Sequence, residues 1–321
     1  MNDNYLRERY EKYLKREKSN NTITTFINNL NLLYGYFSEK TGVANDSELF
    51  LKTINGDMIA DYFDELRSDK KYSIATINLK IATLQNFYKY LIEIRQEDIK
   101  NPMKEVKQQY VEAPSRIVLR KDEVKKLIAS TYKREKGDRQ FDFLSTRNRF
   151  LISLLTVGGF RISEVLNTTM EDLEKLNVNG IPAVAININK NRVKNKLDKR
   201  VIISGEVLGY YYDYISEREK IMEKKNIETD LLIFSDNGLK LTNTGVNKMI
   251  RKYKKISGVL VDEKFTAHNF RHTCATIMSN NRNNSIATVK RVLGWTIKGM
   301  EGIYCHTEDI DRLRASADIL K

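Results

Sequence analysis

The sequence has 321 residues, of which 30% are charged, and a mean hydropathy of −0.51, so we expect a water-soluble protein with room for two domains. No apolar run reaches the about 20 residues of a membrane-spanning helix, and the charged stretch at residues 1–18 is unlike a secretory signal. Two cysteines are too few for a disulfide framework, which favours a cytoplasmic location. The net charge is +13, and almost all of it lies after residue 110. This charge indicates a polyanionic partner or an AT-rich genome.

Apolar side chains recur at helical spacing through the first hundred residues, which predicts about four helices. The first two are marked by Leu6, Tyr10, Leu14, Phe26, Leu30, Leu33, Tyr34 and Phe37. Two more are expected at residues 57–68 and 73–94, with Ser73 or Thr76 as the N-cap of the last.

The helical pattern then breaks. Residues 100–116 have no apolar periodicity and contain two of the three prolines, each of which disfavours helix at the residue before it. We therefore place a linker at residues 108–117, between a helical domain of residues 1–107 and a second domain of residues 118–321.

The second domain is predicted to combine helices with a small β-sheet. Residues 181–190 and 199–204 alternate apolar and polar side chains around a tip rich in Lys and Asn, as in a β-hairpin, and residues 231–234 form a third short strand. Helices are expected at residues 119–130, 146–159 (largely apolar and buried), 242–257, 268–278, 285–295 and 309–320. The predicted fold class is mainly α with a small β-sheet.

Two of the three histidines, His268 and His272, lie four residues apart, a spacing found in zinc sites. The sequence has no HExxH motif, however, and its two cysteines are not paired in sequence. Arg271 immediately precedes His272, and its positive charge disfavours a bound cation. We therefore predict that this is not a metal site.

Two arginines suggest an anion site instead. Arg161 follows two glycines, which allow close approach to a ligand, and precedes an amphipathic helix. Arg271 lies on another predicted helix, with His268 one turn earlier. Two guanidinium groups that converge on one phosphate can bind its oxygens and stabilise a pentavalent transition state. Either arginine alone is better explained as a surface or salt-bridge residue.

Three motifs, in this order, resemble the signature boxes of the tyrosine recombinase family of phage and transposon integrases. They are "GGFRISEVL" (158–166), "AHNFRHTCAT" (267–276) and "VLGWTIKGMEGIYCH" (292–306). The resemblance covers residues 115–321 and, more loosely, the N-terminal part. It implies a helical core-binding domain and a mixed α/β catalytic domain that clamp duplex DNA.

Carried onto this sequence, the resemblance makes Arg161 and Arg271 the two family arginines and Tyr304 the nucleophile. His268 is then placed to accept the phenolic proton. Trp295 stands where many relatives have a second histidine, and its indole N–H can donate to the phosphate but cannot accept a proton. A structural role in the core is the other reading of Trp295.

The family's catalytic lysine, a general acid for the leaving 5′ oxygen, matches Lys190 at the end of the first hairpin strand. Lys194 and Lys196 remain rivals, or contacts to the DNA backbone, because the hairpin tip looks longer than in compact relatives. Glu164 is expected to support the arginines, unless it is simply an exposed glutamate. The remaining predicted DNA contacts lie on one helix and are Arg251, Lys252, Lys254 and Lys255. The alternative interpretation is that these side chains form a solvated face of that helix.

The implied reaction forms a 3′-phosphotyrosyl bond and needs no metal, nucleotide or other cofactor; the sequence has no Walker A loop or Rossmann glycine motif. The implied partners are double-stranded DNA, a homotetramer on two recombination sites that passes through a Holliday junction, and optional accessory proteins. The integrase of a mobile element is the first choice of role and a Xer-type resolvase the second. A type IB topoisomerase-like enzyme and a non-cleaving DNA-binding protein are the remaining alternatives.

Overall fold

The computed structural model describes residues 5–42, 53–69, 72–111, 117–133, 141–189, 198–281 and 284–294. The chain divides into two compact units, Met1–Pro114 and Ser115–Lys321, and the division falls inside the predicted linker. The predicted fold class, mainly α with a small β-sheet, is confirmed. No helix in the described ranges is both long and apolar enough to cross a membrane.

Unit 1 consists of helices α1 (Tyr5–Leu14), α2 (Asn20–Thr41), α3 (Gly56–Ser68) and α4 (Ile74–Lys89), and α4 continues as a π-helical turn at Tyr90–Ile94. Ser73 caps α4 by accepting a hydrogen bond from the Thr76 N–H at 3.2 Å. The apolar residues that predicted α1 and α2 are all buried in the core of this unit.

The chain remains packed on unit 1 well beyond the last helix. The Met103 side chain is buried in the unit's core. Asn78 and Gln109 exchange two hydrogen bonds, one of 2.9 Å from the Gln109 N–H and one of 2.7 Å to the Gln109 carbonyl. The domain bounds at residues 107 and 118 stay a prediction.

Unit 2 is built around a buried helix, α6 (Phe141–Val157). Its other helices are α5 (Lys121–Ala129), α7 (Ile162–Leu166), α8 (Gly205–Lys225), α9 (Asn243–Ser257), α10 (Ala267–Asn280) and α11 (Ile286–Leu293). Phe150, Leu151 and Ile152 of α6 are fully buried, as the apolar sequence predicts. The predicted helix at residues 309–320 lies outside the described residues.

A three-stranded antiparallel sheet packs against these helices, with strands β1 (Leu173–Val178), β2 (Ile181–Ile188) and β3 (Lys199–Ser204) in the order β1-β2-β3. The predicted hairpin of β2 and β3 is confirmed, with Ile186 opposite Val201. Because side chains alternate along a strand, Val201 and Ile203 face the main core while Ile202 faces away from it.

The predicted strand at residues 231–234 is wrong. Leu231 makes only an isolated bridge with Thr169, and the following backbone bonds mostly to side chains. The Leu232 carbonyl accepts from the Tyr214 hydroxyl at 2.7 Å, and the Phe234 carbonyl accepts from Arg147 at 3.0 Å. The segment is apolar because it is buried, and the third strand is β1, whose charged, half-exposed sequence gave no clear signal.

Candidate functional site

The Gly158–Gly159 turn brings the end of α6 against α10 and α11. A Cβ on Gly158 would lie 2.3 Å from the Phe160 ring. Gly159 has a φ of +50°, and a Cβ there would lie 2.4 Å from Leu293 Cδ2 and 3.0 Å from Cys274 Sγ. Only glycine fits both positions, and the turn therefore carries Arg161 close to α10.

Arg161 is the N-cap residue of α7 and is bound twice by Glu164, one turn later. Glu164 Oε2 accepts the backbone N–H of Arg161 at 2.9 Å, and Oε1 accepts the guanidinium Nη1 at 2.5 Å. The carboxylate is buried and the guanidinium is partly exposed. Glu164 therefore orients a charge that solvent or a ligand can reach.

Arg271 lies on α10, whose apolar face, including Phe270 and Cys274, is buried in the core. Its guanidinium is buried and donates from Nη1 to the Gly159 carbonyl at 2.6 Å and from Nη2 to the Leu293 carbonyl at 2.5 Å. These two bonds fix the plane of the guanidinium. They also tie the glycine turn to the C-terminal end of α11.

The two arginines sense each other's charge. Burial lowers the pKa of Arg271, and repulsion from Arg161 lowers this pKa further, while Glu164 opposes both effects. The two positive charges interact with each other and with the single negative charge of Glu164, and this arrangement favours an anionic ligand. The structure thus brings together the two arginines that the sequence places more than a hundred residues apart.

His268 lies one turn before Arg271 on α10 and is exposed. Its ring meets the His272 ring edge to face, with centroids 4.6 Å apart. Across the described ranges, no three His, Cys, Asp or Glu side chains are grouped in a way that could hold a metal ion. His268 thus occupies the accessible side of the arginine-bearing helix, where a proton acceptor is expected.

Lys199 was not among the predicted site residues, but it contacts the same groups as Arg161 and Arg271. Its Nζ lies 3.3 Å from Glu164 Oε2 and 3.2 Å from the Gly159 carbonyl oxygen, and the residue is fully buried. The signal was present in the strand alternation, which puts Lys199 on the same face as Val201 and Ile203.

Five predicted site residues lie outside the described residues, so their roles stay predictions. They are Lys190, Lys194, Lys196, Trp295 and Tyr304. Two of the chain segments that carry them adjoin described parts of the cluster. Strand β3 begins at Lys199, two residues after the hairpin tip of residues 190–197, which lies outside the described residues. The Leu293 carbonyl, which Arg271 binds, lies two residues before Trp295.

The basic helix α9 has one apolar and one cationic face. Val246, Ile250 and Tyr253 are buried. Four cations on the other face follow the helical i, i+3, i+4, i+7 spacing and are exposed or half-exposed: Lys248, Arg251, Lys252 and Lys255.

Lys254, which was predicted to contact DNA, is not on the cationic face of α9. It is buried, and its Nζ donates to the Glu263 carbonyl. Burial lowers the pKa of Lys254, against the attraction of Glu263 and Asp262. Because Lys254 is buried and already has an internal partner, we leave it out of the proposed DNA-binding surface.

Two family models match this chain. The phage integrase family matches residues 117–310, and the phage integrase N-terminal SAM-like domain matches residues 8–95. The chain is 24% identical over 309 residues to tyrosine recombinase XerC of Caldanaerobacter subterraneus subsp. tengcongensis, covering 92% of this chain and 80% of that protein. It is 25% identical over 332 residues to transposase A of transposon Tn554 from Staphylococcus aureus, covering 94% and 87%.

Solved structures share the fold. The XerH site-specific recombinase bound to difH substrate in a pre-cleavage complex has a TM-score of 0.65 and 22% identity, covering 92% of this chain and 76% of that one. A lambda integrase tetramer bound to a Holliday junction has a TM-score of 0.59 and 18% identity, covering 92% and 77%.

Replacing Gly159 with alanine should destabilise unit 2 by about 2–5 kcal/mol, because a positive φ and overpacking against Leu293 act together. Gly180→Ala is the matched control, since Gly180 has a φ of +82° but no neighbour within 4 Å. That control should lose only about 1–2 kcal/mol. Urea unfolding followed by the fluorescence of Trp295, the single tryptophan, measures both. Equal losses would show that the turn is not closely packed.

Proposed function

The chain belongs to the phage integrase family and is a site-specific tyrosine recombinase, and from this premise we propose that Tyr304 cuts and rejoins DNA through a 3′-phosphotyrosyl intermediate. The observation that carries the proposal is the pair of guanidinium groups held on one glycine turn. Arg271 donates a hydrogen bond to the Gly159 carbonyl. Arg161 lies two residues after Gly159, and its guanidinium donates to the Glu164 carboxylate.

In the proposed reaction, the phenolic oxygen of Tyr304 attacks the scissile phosphorus and its proton passes to His268. The bond between phosphorus and the 5′ oxygen breaks, and Lys190 protonates that oxygen. The new phosphotyrosyl ester keeps the energy of the broken phosphodiester. The 5′ hydroxyl of the partner strand later attacks the ester, restores the phosphodiester and releases Tyr304, so the reaction as proposed requires no metal, nucleotide or other cofactor.

The arginines act on the charge of the phosphate. A phosphodiester carries one negative charge, and the pentavalent transition state concentrates more on its oxygens. Guanidinium groups fixed before the substrate arrives stabilise this charge without reorganising during the reaction. Arg271 is fixed by two carbonyls, and Arg161 is fixed by one carboxylate.

We propose double-stranded DNA as the substrate and a homotetramer on two recombination sites as the active assembly. The similarity to a lambda integrase tetramer on a Holliday junction supports this proposal. The exposed cations of α9, with Arg251, Lys252 and Lys255 among them, offer a surface for the DNA backbone. Lys194 and Lys196 stay candidates for further backbone contacts and alternatives to Lys190 as the general acid. We also propose a cytoplasmic location, which agrees with action on DNA.

The biological role we favour is that of a mobile-element integrase, with Xer-type resolution of chromosome or plasmid dimers as the alternative. The similarity to transposase A of Tn554 supports the first role, and the similarity to XerC supports the second. A strand-transfer assay between two different sites, compared with resolution of a dimer that carries two identical sites, distinguishes these roles.

Tyr304→Phe should abolish covalent attachment to DNA while leaving DNA binding intact, because only the nucleophilic oxygen is lost. The measurement uses a nicked suicide substrate that carries the candidate site, with the protease-sensitive adduct resolved on a denaturing gel. Tyr212→Phe, a change at an exposed tyrosine of α8, is the control and should form the adduct normally. An adduct that persists in Tyr304→Phe would show that another residue is the nucleophile.

Arg251→Gln should weaken DNA binding and reduce the slope of log K against log salt by about one, because one phosphate contact is lost. Lys254→Gln removes one charge from the same helix, but that charge is bound internally and should leave the slope unchanged. Fluorescence anisotropy over a salt series measures both variants. If Arg251→Gln also leaves the slope unchanged, this face of α9 is solvated and does not contact DNA.

A further inference from the structure

Lys199 is buried in a position where a lysine is costly. It starts β3 and shares the core-facing side of that strand with Val201 and Ile203. Its side chain is completely buried. A buried ammonium group is tolerated only where charged or polar partners replace water, so the identity of these partners indicates what the lysine does.

Among the described residues, the hydrogen-bond, ion-pair and ring contacts of Lys199 lie on the segment that carries Arg161. The Nζ is 3.3 Å from Glu164 Oε2, 3.2 Å from the Gly159 carbonyl oxygen and 4.1 Å from the centre of the Phe160 ring. The lysine thus fastens the strand to both ends of the turn between α6 and α7.

Each of the two polar partners is shared with one of the arginines. Glu164 Oε2 also accepts the backbone N–H of Arg161, while its other oxygen accepts the Arg161 guanidinium. The Gly159 carbonyl also accepts the Arg271 guanidinium at 2.6 Å. The ammonium group is therefore connected to the Arg271 guanidinium through one carbonyl oxygen, and to the Arg161 guanidinium through the two oxygens of one carboxylate.

We propose that Lys199 is a positioning residue for the two guanidinium groups, acting through the Glu164 carboxylate and the Gly159 carbonyl. Its side chain is buried, and the contacts that it makes are with the groups that hold the arginines. This inference rests on the proposed function, since the distance between the arginines matters only if they bind one phosphate together.

The charges that face Lys199 are consistent with this role. Burial lowers the pKa of Lys199 to about 8, while the charge of Glu164 opposes this shift and that of Arg271 adds to it. Burial raises the pKa of the facing Cys274 thiol to about 12, which keeps it neutral. Burial also raises the pKa of Glu164, but Lys199 and then Arg161 outweigh it and hold that pKa below its ordinary value.

The direct test is Lys199→Met, which keeps the linear side chain and removes the charge. Adduct formation on the suicide substrate should slow by roughly tenfold to a hundredfold, as expected for misplaced catalytic groups. DNA affinity in a gel shift should change by less than about twofold, because no phosphate contact is removed. Lys175→Met, at an exposed lysine on β1 of the same sheet, is the control and should behave as the wild type.

The pH dependence separates this role from a merely structural one. The ionised carboxylate of Glu164 is the active form and exists above its pKa. Protonation of His268 slows both proteins at acid pH, but without Lys199 the pKa of Glu164 rises, so the rate of Lys199→Met should fall more steeply with acid than that of the wild type. A variant that is damaged only structurally would be slower by the same factor at every pH, and that result overturns the inference.

A double-mutant cycle keeps the test valid if Lys199→Met folds poorly. In the double variant with Glu164→Gln, both members of the buried ion pair are neutral, which buried pairs often tolerate. Since Lys199 acts largely through Glu164, the double variant should cleave little more slowly than Glu164→Gln alone. Fully additive losses would contradict the inference. A normal adduct with Lys199→Met, alongside none with Tyr304→Phe, refutes this inference and leaves the proposed function standing.

Discussion

The carbonyl oxygen of Gly159 accepts hydrogen bonds from two buried cations, Arg271 and Lys199, and the site depends on this shared acceptor. The oxygen can reach both because the turn has no side chain at Gly158 or Gly159 and lies directly against α10 and α11. A Cβ on Gly159 would push the turn away from Leu293 and Cys274, and with it the carbonyl that Arg271 binds, whereas a Cβ on Gly158 would collide with the Phe160 ring. The two glycines of the motif are therefore a packing requirement as much as a conformational one.

Positive charge is in excess among the described residues around this oxygen. They include the cations Arg161, Arg271 and Lys199 and one carboxylate, Glu164. Burying cations without enough anions costs free energy. In the proposed reaction a bound phosphate supplies negative charge. Because the proposed transition state is more anionic than the bound diester, the cations would stabilise it more strongly.

Local pattern predicted most of the fold. The apolar stripe around Leu30 and Phe37 produced a buried helix face, and the alternation around Ile186 and Val201 produced a paired hairpin. The segment at residues 231–234 was misassigned because burial alone makes a sequence apolar. Its carbonyls bond to Tyr214 and Arg147, which are distant in sequence, and no local signal reports such partners.

The motifs predicted the arginines of the candidate site and Glu164 as their support, but not Lys199. Arg161, Glu164 and Arg271 do come together, but Lys199 was missed because a lysine at a strand start is usually exposed. Its position on the apolar face could have been noticed, whereas its partner Glu164 could only be identified in the folded chain. Lys254 was misassigned for the converse reason, since its burial depends on the loop that carries Glu263.

The central claim is that the arginines act on the charge of one phosphate. The most direct measurement compares adduct formation by wild type and Arg161→Ala on two suicide substrates, one with an ordinary scissile phosphate and one with a neutral methylphosphonate there. Losing one arginine should cost roughly a hundredfold or more on the phosphate, as for other preorganised donors. On the neutral substrate the loss should be far smaller, because less charge has to be stabilised. Equal losses on both substrates would contradict the claim and assign Arg161 a role in folding alone.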